Sequence, residues 1–100
     1  MMNISKNLNG AVLTIALDGR MDISTAPMLE QEIREGLDDV TELVFDLEKL
    51  AYISSAGLRV LLATFKQMKV NKGSMSLANV GENFKDVLQN TGLDAVFGVF

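Results

Sequence analysis

The chain has 100 residues, enough for one domain, with 48% apolar side chains and a formal net charge of −4. This excludes a disordered or fibrous chain, and the absence of both Cys and His excludes disulfides, thiol nucleophiles, serine–histidine hydrolysis and an ordinary zinc site. Of the 13 acidic residues, 10 fall between Asp18 and Glu48; there is no basic footprint for nucleic acid, and no apolar run reaches the roughly 18–20 residues that cross a bilayer.

Residues 3–8 alternate weakly up to the turn signal Asn9-Gly10, and Ala11 to Leu17 reads as a second strand, so a hairpin opens the chain. Ser24-Thr25-Ala26-Pro27 reads as a helix start, with Ser24 as the cap and Pro27 in the first turn, where its missing N–H is harmless. Ala26, Leu29, Ile33 and Leu37 recur at helical spacing, and acidic residues gather early in this helix, which ends near Gly36 to Asp39. Leu43 to Leu47 is a buried central strand, followed by a loop over Glu48 to Ser54. A second helix runs from about Ala56 to Lys69, with the apolar stripe Leu58, Leu61, Leu62, Phe65 and Met68 and a stop at Asn71-Lys72-Gly73. Ser74 to Ala78 is a strand. A third helix over about Glu82 to Asn90 buries Phe84, Val87 and Leu88 and ends at Thr91-Gly92. Ala95-Val96-Phe97 reads as a last short strand. The order predicts a single α/β domain over residues 1–100: a mixed, mostly parallel sheet of about five strands, covered by about three helices mainly on one face.

The chemistry concentrates in Tyr52-Ile53-Ser54-Ser55-Ala56-Gly57-Leu58-Arg59, where an extended segment turns into a helix. A helix start carries unpaired N–H groups and the positive end of the dipole. A serine there serves as a cap worth about 1 kcal/mol, and a phosphoserine there is electrostatically tolerated. Ser55 is therefore a phosphoacceptor or a cap, and the two roles can coexist. Ser54 is a loop or cap hydroxyl, with acceptor as the alternative. Gly57 permits a close approach, by a partner or by the protein's own packing. Asp22 is a turn or cap residue, or shapes the surface beside Ser55. Arg59 meets a partner or lies on a solvated face. Asp22 and Asp46 without His make a weak metal pair, the 6 Met residues suit core gaps, and the turn Asn79-Val80-Gly81 is far from a phosphate-binding loop. No catalytic residue, cofactor or metal is expected, and a small nucleotide-binding or hydrolytic enzyme is disfavoured by the missing chemistry.

Gly19-Arg20-Met21-Asp22 with Ser24-Thr25-Ala26-Pro27, then Phe45-Asp46-Leu47 with Tyr52 to Leu58, then Asn79-Val80, and last Thr91-Gly92-Leu93 with Val96-Phe97 follow one another along the chain. Together and in this order they resemble the STAS-domain family of bacterial anti-sigma-factor antagonists. The resemblance implies the STAS fold and a regulatory binding module rather than an enzyme. In the family, an anti-sigma factor that is also a serine kinase phosphorylates one serine at the start of the second helix. The unphosphorylated antagonist binds the anti-sigma factor and frees a sigma factor; the phosphorylated form cannot, and a phosphatase restores it. Matching Gly57-Leu58 to the family's Gly-Leu puts that serine at Ser55, with Ser54 as the alternative. The contacting surface is then Ser54, Ser55, Ala56, Gly57, Leu58 and Arg59, bordered by Asp22, Ser24 and Thr25.

The chain departs from the family at two places. Ser54 stands where switching members commonly have Asp, and the sequence stops at Phe100, where the family usually adds a short helix. The apolar ending Val96 to Phe100 either covers the core or meets a partner. The alternative reading is a STAS subunit of a transporter ATPase or sensory complex, docking without a phospho-switch. The expected partners are an anti-sigma factor with serine kinase activity and a phosphoserine phosphatase, with no nucleic acid and no membrane. A cytoplasmic monomer or weak dimer is expected.

Overall fold

The computed structural model describes residues 2–37 and 39–99. A hairpin of β1 (Met2–Asn9) and β2 (Val12–Met21) opens the fold. Its two-residue loop, Gly10-Ala11, begins on Gly10 at φ 63°, the positive angle a tight hairpin turn demands of its first residue. There follow α1 (Ala26–Gly36), β3 (Glu42–Asp46), β4 (Leu50–Ile53), α2 (Ser55–Val70), β5 (Ser74–Ala78), α3 (Glu82–Thr91), a 3₁₀ turn at Leu93–Ala95 and β6 (Gly98–Val99). The sheet runs β1-β2-β3-β5-β6. Among the described residues only the β1–β2 pair is antiparallel, and β4 adds itself alongside β2, beyond the end of β3.

Register places the core. Leu13 lies beside Leu43, and Leu43 beside Met75; Ile15 lies beside Phe45, and Phe45 beside Leu77. All six are buried, whereas their neighbours Thr14, Val44 and Ser76 are only half-buried, so one sheet face carries the apolar layer. Ala26, Leu29 and Ile33 of α1, Leu61 and Met68 of α2, and Phe84 and Leu88 of α3 join that layer in a single cluster. Each large side chain removed from water there contributes roughly 1.5–3 kcal/mol. Met2, Met21, Met68 and Met75 fill gaps in it.

Several expectations are corrected. Leu50–Ile53 is a strand, not a loop: β4 pairs with the upper part of β2, Gly19 beside Leu50 and Arg20 beside Tyr52, with Ala51 the extra residue at the register shift. The last strand is Gly98–Val99, because Leu93–Ala95 winds into a 3₁₀ turn. Phe97 then covers the core, buried and edge-on to Phe65 at 5.6 Å. The first turn of α1 carries no acidic residue, and its N-cap position is Thr25, not Ser24. On α2, Leu58, Leu62 and Phe65 are half-buried, and the buried face is Gly57, Leu61, Thr64 and Met68, with the Thr64 hydroxyl donating to the Val60 carbonyl at 2.7 Å. Val87 of α3 is exposed. At the end of α2 the left-handed residue is Lys72, at φ 62°, and not Gly73. Gly73 is instead needed for close approach: a Cβ there would lie 2.8 Å from the Thr41 carbonyl oxygen.

Candidate functional site

β2 and β4 run parallel and finish together, Met21 beside Ile53, and the Ser54 N–H donates to the Met21 carbonyl at 2.8 Å. The chain therefore leaves the sheet twice at the same height. One exit leads into α1 and the other into α2, at the carboxyl ends of parallel strands, where α/β folds place their sites. This junction brings Asp22, Ser24 and Thr25 together with the Ser54–Arg59 segment.

The exit into α1 is a closed knot. One carboxylate oxygen of Asp22 accepts from the Ser24 N–H at 2.9 Å, the Ser24 hydroxyl at 2.6 Å and the Thr25 N–H at 3.1 Å. The Thr25 hydroxyl accepts from the Asp22 N–H and donates to the Arg20 carbonyl, each at 2.8 Å. The Ser24 hydroxyl and then the Ser24 N–H hold the Asp22 carboxyl below its ordinary pKa, because both bond the charged form, with Thr25 adding to them against a little desolvation. Ser24 thus braces Asp22 and does not cap α1.

The exit into α2 is open. Ser54 is the N-cap, extended at φ −91° and ψ 173°, and its hydroxyl accepts from the Gly57 N–H at 3.3 Å. The Ser54 carbonyl accepts the first helical bond, from the Leu58 N–H at 3.0 Å. Ser55 is consequently the first helical residue rather than the cap. It is exposed, and its hydroxyl bonds no side chain or backbone group among the described residues. No acidic residue shares the first turn of this 16-residue helix, so the dipole's positive end is uncompensated there.

The expected contact residues divide by exposure. Ser24, Ser55 and Arg59 are exposed; Asp22, Thr25, Ser54, Ala56 and Leu58 are half-buried. Gly57 is buried: a Cβ on it would lie 2.3 Å from Met21 Cγ and 2.8 Å from Ile53 Cγ1. Its bareness lets the helix start press against the ends of β2 and β4, which serves packing directly. Asp46 is engaged elsewhere, accepting from the Asn79 amide at 3.0 Å and the Glu48 N–H at 3.2 Å. Its strand partner Ala16 lies six residues below Asp22 on β2, roughly 20 Å away, so the two aspartates form no pair.

Three features at the junction were not singled out from the sequence. Ile23 is 81% exposed, on the tip of the Asp22 knot. Arg20 stacks its guanidinium over the half-exposed Tyr52 ring at 4.5 Å. An open groove of about 760 Å³ runs between α1 and α2, with Ile23, Pro27, Ala56, Arg59 and Thr64 among its walls. A lone apolar residue between Asp22 and Ser24 is the available signal for the first; the second depends on β4, and the third on how α1 and α2 lie side by side.

A family profile described as the STAS domain matches residues 3–100. The chain belongs to the STAS-domain family. Over 98 residues it is 29% identical to the anti-sigma-B factor antagonist of Bacillus subtilis, covering 98% of this chain and 88% of that protein. It is 31% identical over 99 residues to BtrV of Bordetella bronchiseptica, covering 98% and 85%. Among solved structures, an anti-sigma factor antagonist from Mycobacterium paratuberculosis superposes with a TM-score of 0.89 at 28% identity, over 100% of this chain and 86% of that one. This STAS domain is thus similar along its whole length to regulatory binding proteins, and no described helix is long and apolar enough to cross a membrane.

Proposed function

We propose that this STAS domain is an anti-sigma-factor antagonist whose docking surface is the start of α2, switched by phosphorylation of Ser55. Unphosphorylated, it binds an anti-sigma factor that is also a serine kinase and so frees a sigma factor; phosphorylated, it does not bind, and a phosphatase resets it. The observation that carries the choice of residue is the division of labour between the two serines. The Ser54 hydroxyl is committed to the Gly57 N–H, while the Ser55 hydroxyl is exposed and uncommitted among the described residues. In the transfer, Ser55 Oγ bonds the γ-phosphorus of ATP, the bond to the ADP oxygen breaks, and the hydroxyl proton passes to a base of the kinase.

The switch needs no refolding. A phosphoryl group adds about −1.5 to −2 charge, which the helix N-terminus accommodates. At the partner surface the same group puts a bulky, solvated dianion into the contact. Its desolvation costs several kcal/mol, a large share of the roughly 8 kcal/mol behind micromolar binding. The test is a pull-down of the cognate anti-sigma kinase by the native chain and by Ser55→Asp. At least tenfold weaker binding of the variant supports the reading. Equal affinity refutes the switch and favours constitutive docking, as in a transporter or sensory complex.

A further inference from the structure

We infer that Arg59 is the intramolecular partner of a phosphoryl group on Ser55, so that phosphorylation withdraws a cation from the docking surface as well as adding a dianion to it. The inference rests on Ser55 being the acceptor and concerns how that site is regulated. Ser55 opens α2 and Arg59 lies four residues on, on the same helix face, and both are exposed. Side chains on a helix tilt toward its N-terminus, so Arg59 leans over Ser55, and an anion four residues before a cation is the favoured order. The same spacing is already closed on α1, where Arg34 holds Glu30 at 2.7 Å.

Among the described residues Arg59 has nothing else to hold. From Ser55 to Val70 the helix contains no Asp or Glu, and the neighbours of Arg59 one turn away are Ser55, Ala56, Leu62 and Ala63. Across the groove the acid is Glu30, taken by Arg34; Asp22 is taken by the donors of its own turn; and Arg20, the other cation at the junction, stacks on Tyr52. Among the described residues Arg59 makes no ion pair. In the unphosphorylated chain it is therefore available to a carboxylate of the partner, and in the phosphorylated chain it is occupied. Aspartate, shorter and singly charged, reproduces only part of this, so Ser55→Asp weakens binding less than the phosphate does.

The test uses the full chain with phosphoserine installed at position 55 during synthesis, and follows its second ionisation, ordinarily near pH 6, by ³¹P NMR. The native chain should titrate about 0.3 unit below Arg59→Gln, the equivalent of one such helix pair. Arg59→Lys should keep part of the difference, 1 M salt should shrink it, and Lys66→Gln, two turns further along, should leave the native value. Equal values for native and Arg59→Gln, or an equal change in Lys66→Gln, would overturn the pairing. Because no kinase is used, this outcome is separate from whether cells phosphorylate Ser55: absence of the phosphate in cells counts against the proposed function alone.

Discussion

Two helices begin side by side at the end of the same pair of strands, and they begin differently. The start of α1 is tied by a carboxylate with three donors and a hydroxyl with two partners. The start of α2 is held by one serine bond at 3.3 Å and by the fit of Gly57 against Met21 and Ile53, leaving the next hydroxyl without a partner among the described residues. A site that must be both presented and modified needs this pairing. One edge is tied by its own hydrogen bonds, and the other is chemically unengaged, among the described residues, at the hydroxyl proposed as the acceptor, so the proposed modification breaks no described internal bond. The rigidity also displays Ile23 at the tip of the knot, so the junction offers one apolar side chain beside one hydroxyl and one guanidinium.

The contrast is broken most forcefully at Gly57. Gly57→Val drives a side chain into fully buried Met21 and into Ile53, and should cost about 2 kcal/mol in urea unfolding; a midpoint at or above that of the native chain would show that the helix start is loosely seated. Ser54→Ala removes the only side-chain cap of α2 and should lose about 1 kcal/mol in the same measurement.

Asp22→Asn sharpens the comparison through pH. The folded carboxyl titrates below its ordinary value of 3.8, so its contribution is present above that pH and is lost as the pH falls through the lowered folded value. The melting-temperature gap between native and variant should be open at neutral pH and narrow on acidification below about pH 4; a gap independent of pH would assign the effect to geometry alone. The smallest stability effect is expected for Ser55→Ala, under about 0.5 kcal/mol, because the hydroxyl holds nothing among the described residues. A larger loss would mean that Ser55 is the working cap.

Most of the fold is legible in the sequence where periodicity and punctuation agree. The hairpin, α1, the central strands and α3 follow from alternating or helically spaced apolar residues bounded by Gly10, Pro27 and Gly92. β4 is hidden in the sequence because Leu50-Ala51-Tyr52-Ile53 does not alternate in burial, and its pairing with β2 is irregular, skipping Ala51. The last strand was misplaced because the apolar run Ala95-Val96-Phe97 gives its Phe to the core, and pairing begins only at Gly98. The site shows the same limit. Ser54 and Ser55 are both suited to cap a helix, and what separates their positions is where β4 stops, at one hydrogen bond from the Ser54 N–H to the Met21 carbonyl. Ile23 carries no signal of its own in the sequence, since an apolar residue near a strand is by default a core residue; the turn at Asp22 turns it outward.

The most direct test is to incubate the full chain with its anti-sigma kinase and ATP, and to map the phosphate on the tryptic peptide Leu50–Arg59. That peptide holds Ser54 and Ser55 together, so fragmentation decides between adjacent hydroxyls. The account predicts a single phosphate on Ser55 and none on Ser54. A phosphate on Ser54, the residue whose hydroxyl caps α2, or an unmodified peptide under conditions where the kinase binds the chain, would contradict it.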